Sequence, residues 1–202
     1  MLKVDNISKS FDGRRVLDGV SFSVAAGEAV VLLGANGAGK TTLLRIVTTL
    51  LSPDSGQVLF DGHPVTPADL SRIGYLPEER GLYRHEEAGP QAVYLARLKG
   101  MSRREAEESV RGWFERLGIA DRWRCPVRSL SKGMQQKLQF IVTVAHRPAL
   151  LVLDEPFSGF DAANSMMLRR EIAALKADGT AILLSTHNLQ AADELCDKTI
   201  SL

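Results

Sequence analysis

Long apolar runs are missing from this sequence of 202 residues. None approaches the roughly 20 residues that a helix needs to cross a bilayer. The opening MLKVDNISKSF also lacks the apolar core of a secretory signal. Cysteine is scarce: Cys125 and Cys196 are the only two. They show neither metal-ligand spacing nor a pairing pattern, so reduced thiols of the cytosol are the expectation. Charge of one sign is not in excess either, with 25 Lys and Arg against 24 Asp and Glu and a net +1. That balance leaves no footprint for nucleic acid or an anionic membrane surface. A solvated face accounts for small basic groups such as Arg122, Arg124 and Arg128. Repeats and low-complexity tracts do not occur. The expectation is a soluble, cytoplasmic chain whose contact with any membrane runs through a partner.

What is present is ordinary for a globular protein: 45% hydrophobic and 24% charged residues, enough for one domain with a sizeable core. Residues 2–11 and 16–24 alternate polar and apolar around Asp12-Gly13 and read as an antiparallel hairpin. AVVLL at 29–33 reads as a strand buried on both faces. A glycine-rich loop follows, then a helix from about Thr41 through Leu51, a turn at SPDSG, and strands at QVLFDG and IGYL. From Gln91 to His146 the apolar spacing is helical, with Ser102 as one cap. The pattern then returns to strand (ALLVLDEP), helix (about 162–178), strand (TAILLS), a helix near 188–195, and the strand start KTISL. The reading is an α/β fold of one domain. Residues 1–85 and 148–202 form its core, with a helical subdomain inserted at about 86–147.

GANGAGKT, Gly34 to Thr41, fits the phosphate-loop pattern G-x-x-x-x-G-K-[ST]. Glycines let backbone N–H groups wrap phosphates, and the following helix adds the positive end of its dipole. Lys40 would reach the β- and γ-phosphates, and the Thr41 hydroxyl would ligate Mg²⁺. The plainer alternative, a glycine-rich turn without a ligand, fits its strand-loop-helix setting less well. LLVLDEP ends an apolar strand in two acids. Asp154 is placed to meet a metal held by the phosphate loop, and Glu155 to position or deprotonate an attacking water. An acidic loop after a strand is the bland alternative. His187 closes the strand TAILLSTH, and parallel sheets align such ends on one ligand edge. Alone, a histidine there is more often structural. His63, His85 and His146 lack such placement. LSKGM, Leu130 to Met134, is by itself a serine-capped helix start.

Phosphate loop, LSKGM, LDEP, SGFD and STH stand in the order found in ATP-binding cassette (ABC) ATPases, and the chain resembles that family from Leu2 to Leu202. It looks most like ATP-binding subunits of bacterial exporters, the sodium-efflux type included. The resemblance implies a P-loop NTPase core with ATP and Mg²⁺ as cofactors. Phe11, with Val16 beside it, would stack on adenine. Gly34, Ala35, Asn36, Gly37, Ala38, Gly39, Lys40, Thr41 and Thr42 would bind the phosphates. Glu78 stands where most members carry a glutamine that links the nucleotide to the membrane partner; a carboxylate there could ligate Mg²⁺ or its water. Asp161 matches an aspartate that communicates between the two sites of a dimer, and Phe160 replaces the usual leucine.

LSKGM matches the family signature, with Lys132 for a glycine and Met134 for a glutamine. Ser131 and Gly133, the phosphate-binding parts, are retained. The partners implied are a transmembrane permease at the inner face of the membrane and a second cassette, but no nucleic acid. Two other classes stay open. One is a soluble family member acting on ribosomes or DNA, disfavoured because neither a second cassette nor long heptads occur. The other is a regulatory cassette without turnover. Family members usually continue past KTISL, so the C-terminus reads as truncated.

Overall fold

A computed structural model describes residues 1–79, 81–188 and 194–202. The hairpin forms at the expected place, from β1 (Leu2–Phe11) and β2 (Arg14–Val24), turning through Asp12 and Gly13, both with positive φ. The other strands are β3 (Ala29–Leu33), β4 (Ser55–Phe60), β5 (His63–Pro64), β6 (Ile73–Leu76), β7 (Leu150–Asp154), β8 (Ala181–Thr186) and β9 (Lys198–Ser201). They divide into two sheets. One is antiparallel with order β2-β1-β4-β5, and the other is parallel with order β6-β7-β8-β3-β9.

The unbroken apolar runs of the parallel strands follow from burial on both faces. Val30, Leu32, Leu150, Val152, Ala181 and Leu183 point into a core shared with the antiparallel sheet and with α1 (Lys40–Val47). Their neighbours Ala29, Val31, Leu151, Leu153, Ile182 and Leu184 point the other way, into a core shared with the remaining helices. Those helices are α2 (Ala88–Leu98), α3 (Arg103–Arg116), α4 (Lys132–Val144) and α5 (Ala162–Ala177). The first three all fall between β6 and β7 in the chain. Ser102 caps α3 in a reciprocal box: its hydroxyl accepts from Glu105 N–H at 3.3 Å, and the Glu105 carboxylate accepts from Ser102 N–H at 2.9 Å. Trp113 of α3 meets Phe140 of α4 edge-on at 5.8 Å, fixing how the two helices cross.

Two elements differ from the sequence reading. The helix expected through Leu51 stops at Val47. The Thr48 hydroxyl donates back to the Leu44 carbonyl at 2.9 Å, Thr49 takes a positive φ of 60°, and Leu50 N–H turns back to the Arg45 carbonyl. β-Branched residues and a hydroxyl that competes for helix carbonyls end it early. A short 3₁₀ turn at Pro67–Arg72 was not expected; Thr66 and Asp69 cap it reciprocally. The helix read near 188–195 lies largely outside the described residues.

Candidate functional site

The C-terminal ends of β3, β7 and β8 share one edge of the parallel sheet. β3 runs into the glycine loop, which ends at Gly39 in left-handed backbone, φ 97°, as the N-cap of α1. A side chain there would have its Cβ 2.9 Å from a Leu17 methyl and 3.0 Å from the Val16 carbonyl, so only glycine lets the hairpin pack this closely. Lys40 follows, almost fully buried. Its ammonium donates to the Gly34 carbonyl at 2.7 Å and the Ala35 carbonyl at 3.1 Å, bracing the loop from inside.

Asp154 closes β7 and is 1% exposed. The β7–β8 register pairs it with Ser185, whose hydroxyl donates to Asp154 Oδ1 at 2.5 Å. The other oxygen, Oδ2, is buried and has no hydrogen-bond partner among the described residues. Burial and the Asp154 charge together hold the nearby Tyr75 phenol above its usual pKa, against the opposing pull of Arg45. Glu155 then turns the chain with φ 47°, a left-handed conformation uncommon for a non-glycine residue. Its N–H is held by Ser185 through the carbonyl at 3.2 Å and the hydroxyl at 3.1 Å. This bend swings the Glu155 carboxylate to 3.0 Å from His187 Nδ1 and 3.8 Å from Lys40 Nζ.

A cleft of about 600 Å³ joins these elements. Its wall includes Phe11 and Val16 of the hairpin, Asn36, Gly37 and Gly39 to Thr42 of the loop and α1, and Glu78, Asp154, Glu155 and His187. Gly34, Ala35 and Ala38 belong to the same loop but do not line the cleft. Most residues singled out in the sequence thus meet in one place. Ser131, Gly133 and Asp161 do not. Ser131 caps α4, accepting from Met134 N–H at 3.3 Å, and is exposed. Asp161 caps α5, accepting from Asn164 N–H at 2.8 Å, and this bond holds its carboxyl below the usual value. Gly133 faces Asn164: a Cβ on it would sit 3.6 Å from the Asn164 amide nitrogen. The starts of α4 and α5 therefore lie side by side. Lys132 turns inward from there. Its ammonium lies over the Cα of Gly159, where an added Cβ would be 2.9 Å away. It also lines a smaller cavity of about 230 Å³ with Glu78, Asp154 and Glu155.

Three supporting residues carried no usable signal in the sequence. Ser185 reads as one more small residue in an apolar strand until the strand register sets it against Asp154. Gln139 is buried on α4 and donates to the carbonyls of Pro77 and Glu79 at 3.1 and 3.2 Å, propping the segment that carries Glu78. Gln136 donates to the Ser158 carbonyl at 2.7 Å. A polar residue inside an apolar helical stripe was the available hint for Gln139.

The donor set suits a hard divalent cation in one respect. Asp154 Oδ2 is a buried carboxylate oxygen without a donor among the described residues, and Thr41 lines the same cleft. Among the described residues no three or more His, Cys, Asp or Glu are arranged so that they could hold a metal by themselves. A cation here would draw its remaining ligands from substrate phosphates and water, as Mg²⁺ commonly does.

Comparison with known proteins gives a consistent picture. The family description "ABC transporter" matches residues 17–158. The chain is 46% identical over 197 residues to an ABC transporter ATP-binding protein of Bacillus subtilis, YhaQ, covering 98% of this chain and 66% of that protein. It is 37% identical over 201 residues to the Nod factor export ATP-binding protein I of Sinorhizobium fredii, covering 98% of this chain and 58% of that one. A solved ATP-binding subunit of an ABC transporter superposes with a TM-score of 0.91 at 32% identity, covering all of this chain and 85% of its own. The chain thus spans about two thirds or less of the two relatives' lengths. No helix among the described residues is long and apolar enough to cross a membrane.

Proposed function

Because the chain belongs to the ATP-binding family of ABC transporters, we propose that it is a cassette that binds and hydrolyses ATP to drive a membrane permease, in the direction of export. One observation supports this above the rest. The Glu155 carboxylate stands between His187 and Lys40, at 3.0 and 3.8 Å, inside the cleft walled by the glycine loop. That arrangement supports reading Glu155 as the base and Lys40 as the cation beside a phosphate cradle.

In this reading Phe11 and Val16 hold the adenine. Gly34 to Thr42 wrap the phosphates with N–H groups at the positive end of α1. Lys40 leaves the loop carbonyls for the β- and γ-phosphates. Asp154, Thr41 and Glu78 would hold Mg²⁺, which would supply charge neutralisation at the phosphates. Glu155 orients a water against the γ-phosphorus. As the water oxygen bonds to phosphorus, the bond from phosphorus to the β–γ bridging oxygen breaks, and the water's proton passes to Glu155, giving ADP and phosphate. His187 keeps Glu155 aimed and contacts the γ-phosphate. Phosphoryl transfer is accelerated chiefly by such positioning and charge stabilisation.

Ser131 is exposed and Gly133 half-buried, both apart from this cleft, which is consistent with their serving the nucleotide of a second copy or a paired cassette. Asp161, at the neighbouring helix start, then reports closure from one site to the other. Glu78 carries the nucleotide state to the permease, which holds the cassette at the inner face of the membrane. The resemblance to the exporter group and to the Nod factor export protein supports export as the direction. The retained Lys40, Asp154, Glu155 and His187 argue against a cassette without turnover, and the balanced charge against a nucleic-acid partner.

Glu155→Gln tests the reading. The variant is expected to bind ATP, to lose turnover by about 10²–10⁴-fold, and to elute as an ATP-filled dimer in size-exclusion chromatography. Wild-type turnover would remove the base assignment, and an ATP-bound monomer would remove the split site.

A further inference from the structure

Asp54 lies in the SPDSG turn that carries the chain from α1 towards β4, outside the cleft. Its carboxylate reaches back to the end of β1. Oδ1 accepts from Lys9 Nζ at 2.7 Å, and Oδ2 accepts from Ser10 N–H at 2.7 Å. Its own N–H donates to the Ser8 carbonyl at 2.9 Å. Three consecutive residues of β1 are thus gripped by one residue. An exposed ion pair by itself would hold little, but here a backbone N–H and a backbone carbonyl are held as well.

The grip falls where the pairing of β1 is irregular and only β2 still accompanies it, through Ser10 opposite Arg15 and Phe11 opposite Arg14. Pairing with β2 changes register between Ile7 and Lys9 and again between Lys9 and Ser10. Pairing with β4 breaks after Asp5 and is last made at Ser8 and Ser55. Beyond it comes Phe11, whose ring is 44% exposed and forms part of the cleft wall. The Lys9 ammonium held by Asp54 lies 5.6 Å from the centre of that ring, within cation–π range.

From these contacts we infer that Asp54 is a positioning residue for nucleotide binding: through Lys9 and Ser10 it holds the Phe11 ring at the depth where a purine stacks. The inference rests on the reading of Phe11 as the base contact. It also gives a reason for Asp54's place in the chain. α1 begins on the phosphates, and Asp54 follows its far end, so one carboxylate fixes the base-holding hairpin to the phosphate-holding helix. The spacing between ring and cradle is then set for a nucleoside triphosphate.

The test compares MgATP with magnesium tripolyphosphate, which has the phosphates and no base, by calorimetric titration of the full chain. Asp54→Ala is expected to weaken ATP about tenfold, in the range of one lost base stack, and to leave tripolyphosphate within about twofold. Phe11→Ala should do the same, and the double variant should bind no more weakly than Phe11→Ala alone. Lys9→Gln, which keeps the turn intact, should show part of the loss, and Asp54→Glu should restore most of it. Equal weakening of tripolyphosphate, or losses that add in the double variant, would make Asp54 a plain turn residue and overturn the inference. If Phe11→Ala weakens ATP and Asp54→Ala does not, the inference alone fails. If Phe11→Ala binds ATP as the wild type does, the reading of the base contact fails and the inference goes with it.

Discussion

At the end of β3 the polar groups are buried and bound to their own chain, whereas at the start of α4 they stand in solvent. Lys40 is 6% exposed and braced by two loop carbonyls. Asp154, two strands away, is fixed by Ser185. Ser131 and Lys132 are exposed, and the Ser131 hydroxyl has only the modest task of capping its own helix. Burial pre-orients the first group, since a buried polar atom without a partner costs about 1–3 kcal/mol. In the second group Ser131 is left accessible, while the Lys132 side chain leans inward over Gly159. In the reading proposed above, one half is complete before the nucleotide arrives and the other finishes the site only on closure.

Lys40→Ala should break this contrast most strongly. Removing the cation from the buried half is expected to lower turnover by on the order of 10²–10³-fold and to weaken ATP binding, both measurable on the isolated chain. The second test concerns the far end of α4, which is as buried as its start is exposed. His146 follows it, and burial, aided by the Lys99 charge, pushes its pKa down from 6.5 to about 4. The folded chain thus keeps His146 neutral while the unfolded chain takes up a proton below pH 6.5. Stability is expected to fall between pH 6.5 and 4, by up to about 2 kcal/mol between pH 7 and pH 5. Urea midpoints at the two pH values check this, and His146→Gln should remove that part of the loss.

Ser131→Ala comes next. If its hydroxyl meets the phosphate of a paired cassette as proposed, its loss should slow hydrolysis by about ten- to a hundredfold, with ATP binding to the monomer unchanged. Parallel loss of monomer binding would place Ser131 in its own cleft and dissolve the contrast. Ser185→Ala should have the smallest effect, about 1–2 kcal/mol in unfolding free energy, because Asp154 Oδ1 and Glu155 N–H lose a hydroxyl partner together. A denaturation midpoint equal to wild type would show that Asp154 does not need the brace.

The legibility of the two halves differs for the same physical reason. GANGAGKT and LLVLDEP state their chemistry in their residue types, since phosphates and metals demand glycines, a lysine and carboxylates at fixed places. The parallel strands were legible because burial on both faces leaves no polar alternation. LSKGM contains nothing that demands a partner, and only its resemblance to a family signature marked it. Pairings between distant residues were not legible at all. Ser185 against Asp154, Gln139 under the Glu78 segment, and Asp54 across Ser8 to Ser10 depend on strand register and helix rotation, which no local pattern encodes. The early stop of α1 was missed for a smaller reason: Leu50 and Leu51 continue the apolar spacing of Leu43, Leu44, Ile46 and Val47, while the branched Thr48 and Thr49 between them disfavour the helix.

Glu155 sits in a backbone conformation that a glycine would adopt without strain, at a cost on the order of 1–3 kcal/mol for a side-chain-bearing residue. A laboratory selection for thermal robustness alone would therefore drift at this position towards glycine, and under the role proposed for Glu155 its best-ranked clones would be inert. Any stabilisation campaign on this protein needs an activity gate at residue 155 before it needs one anywhere else.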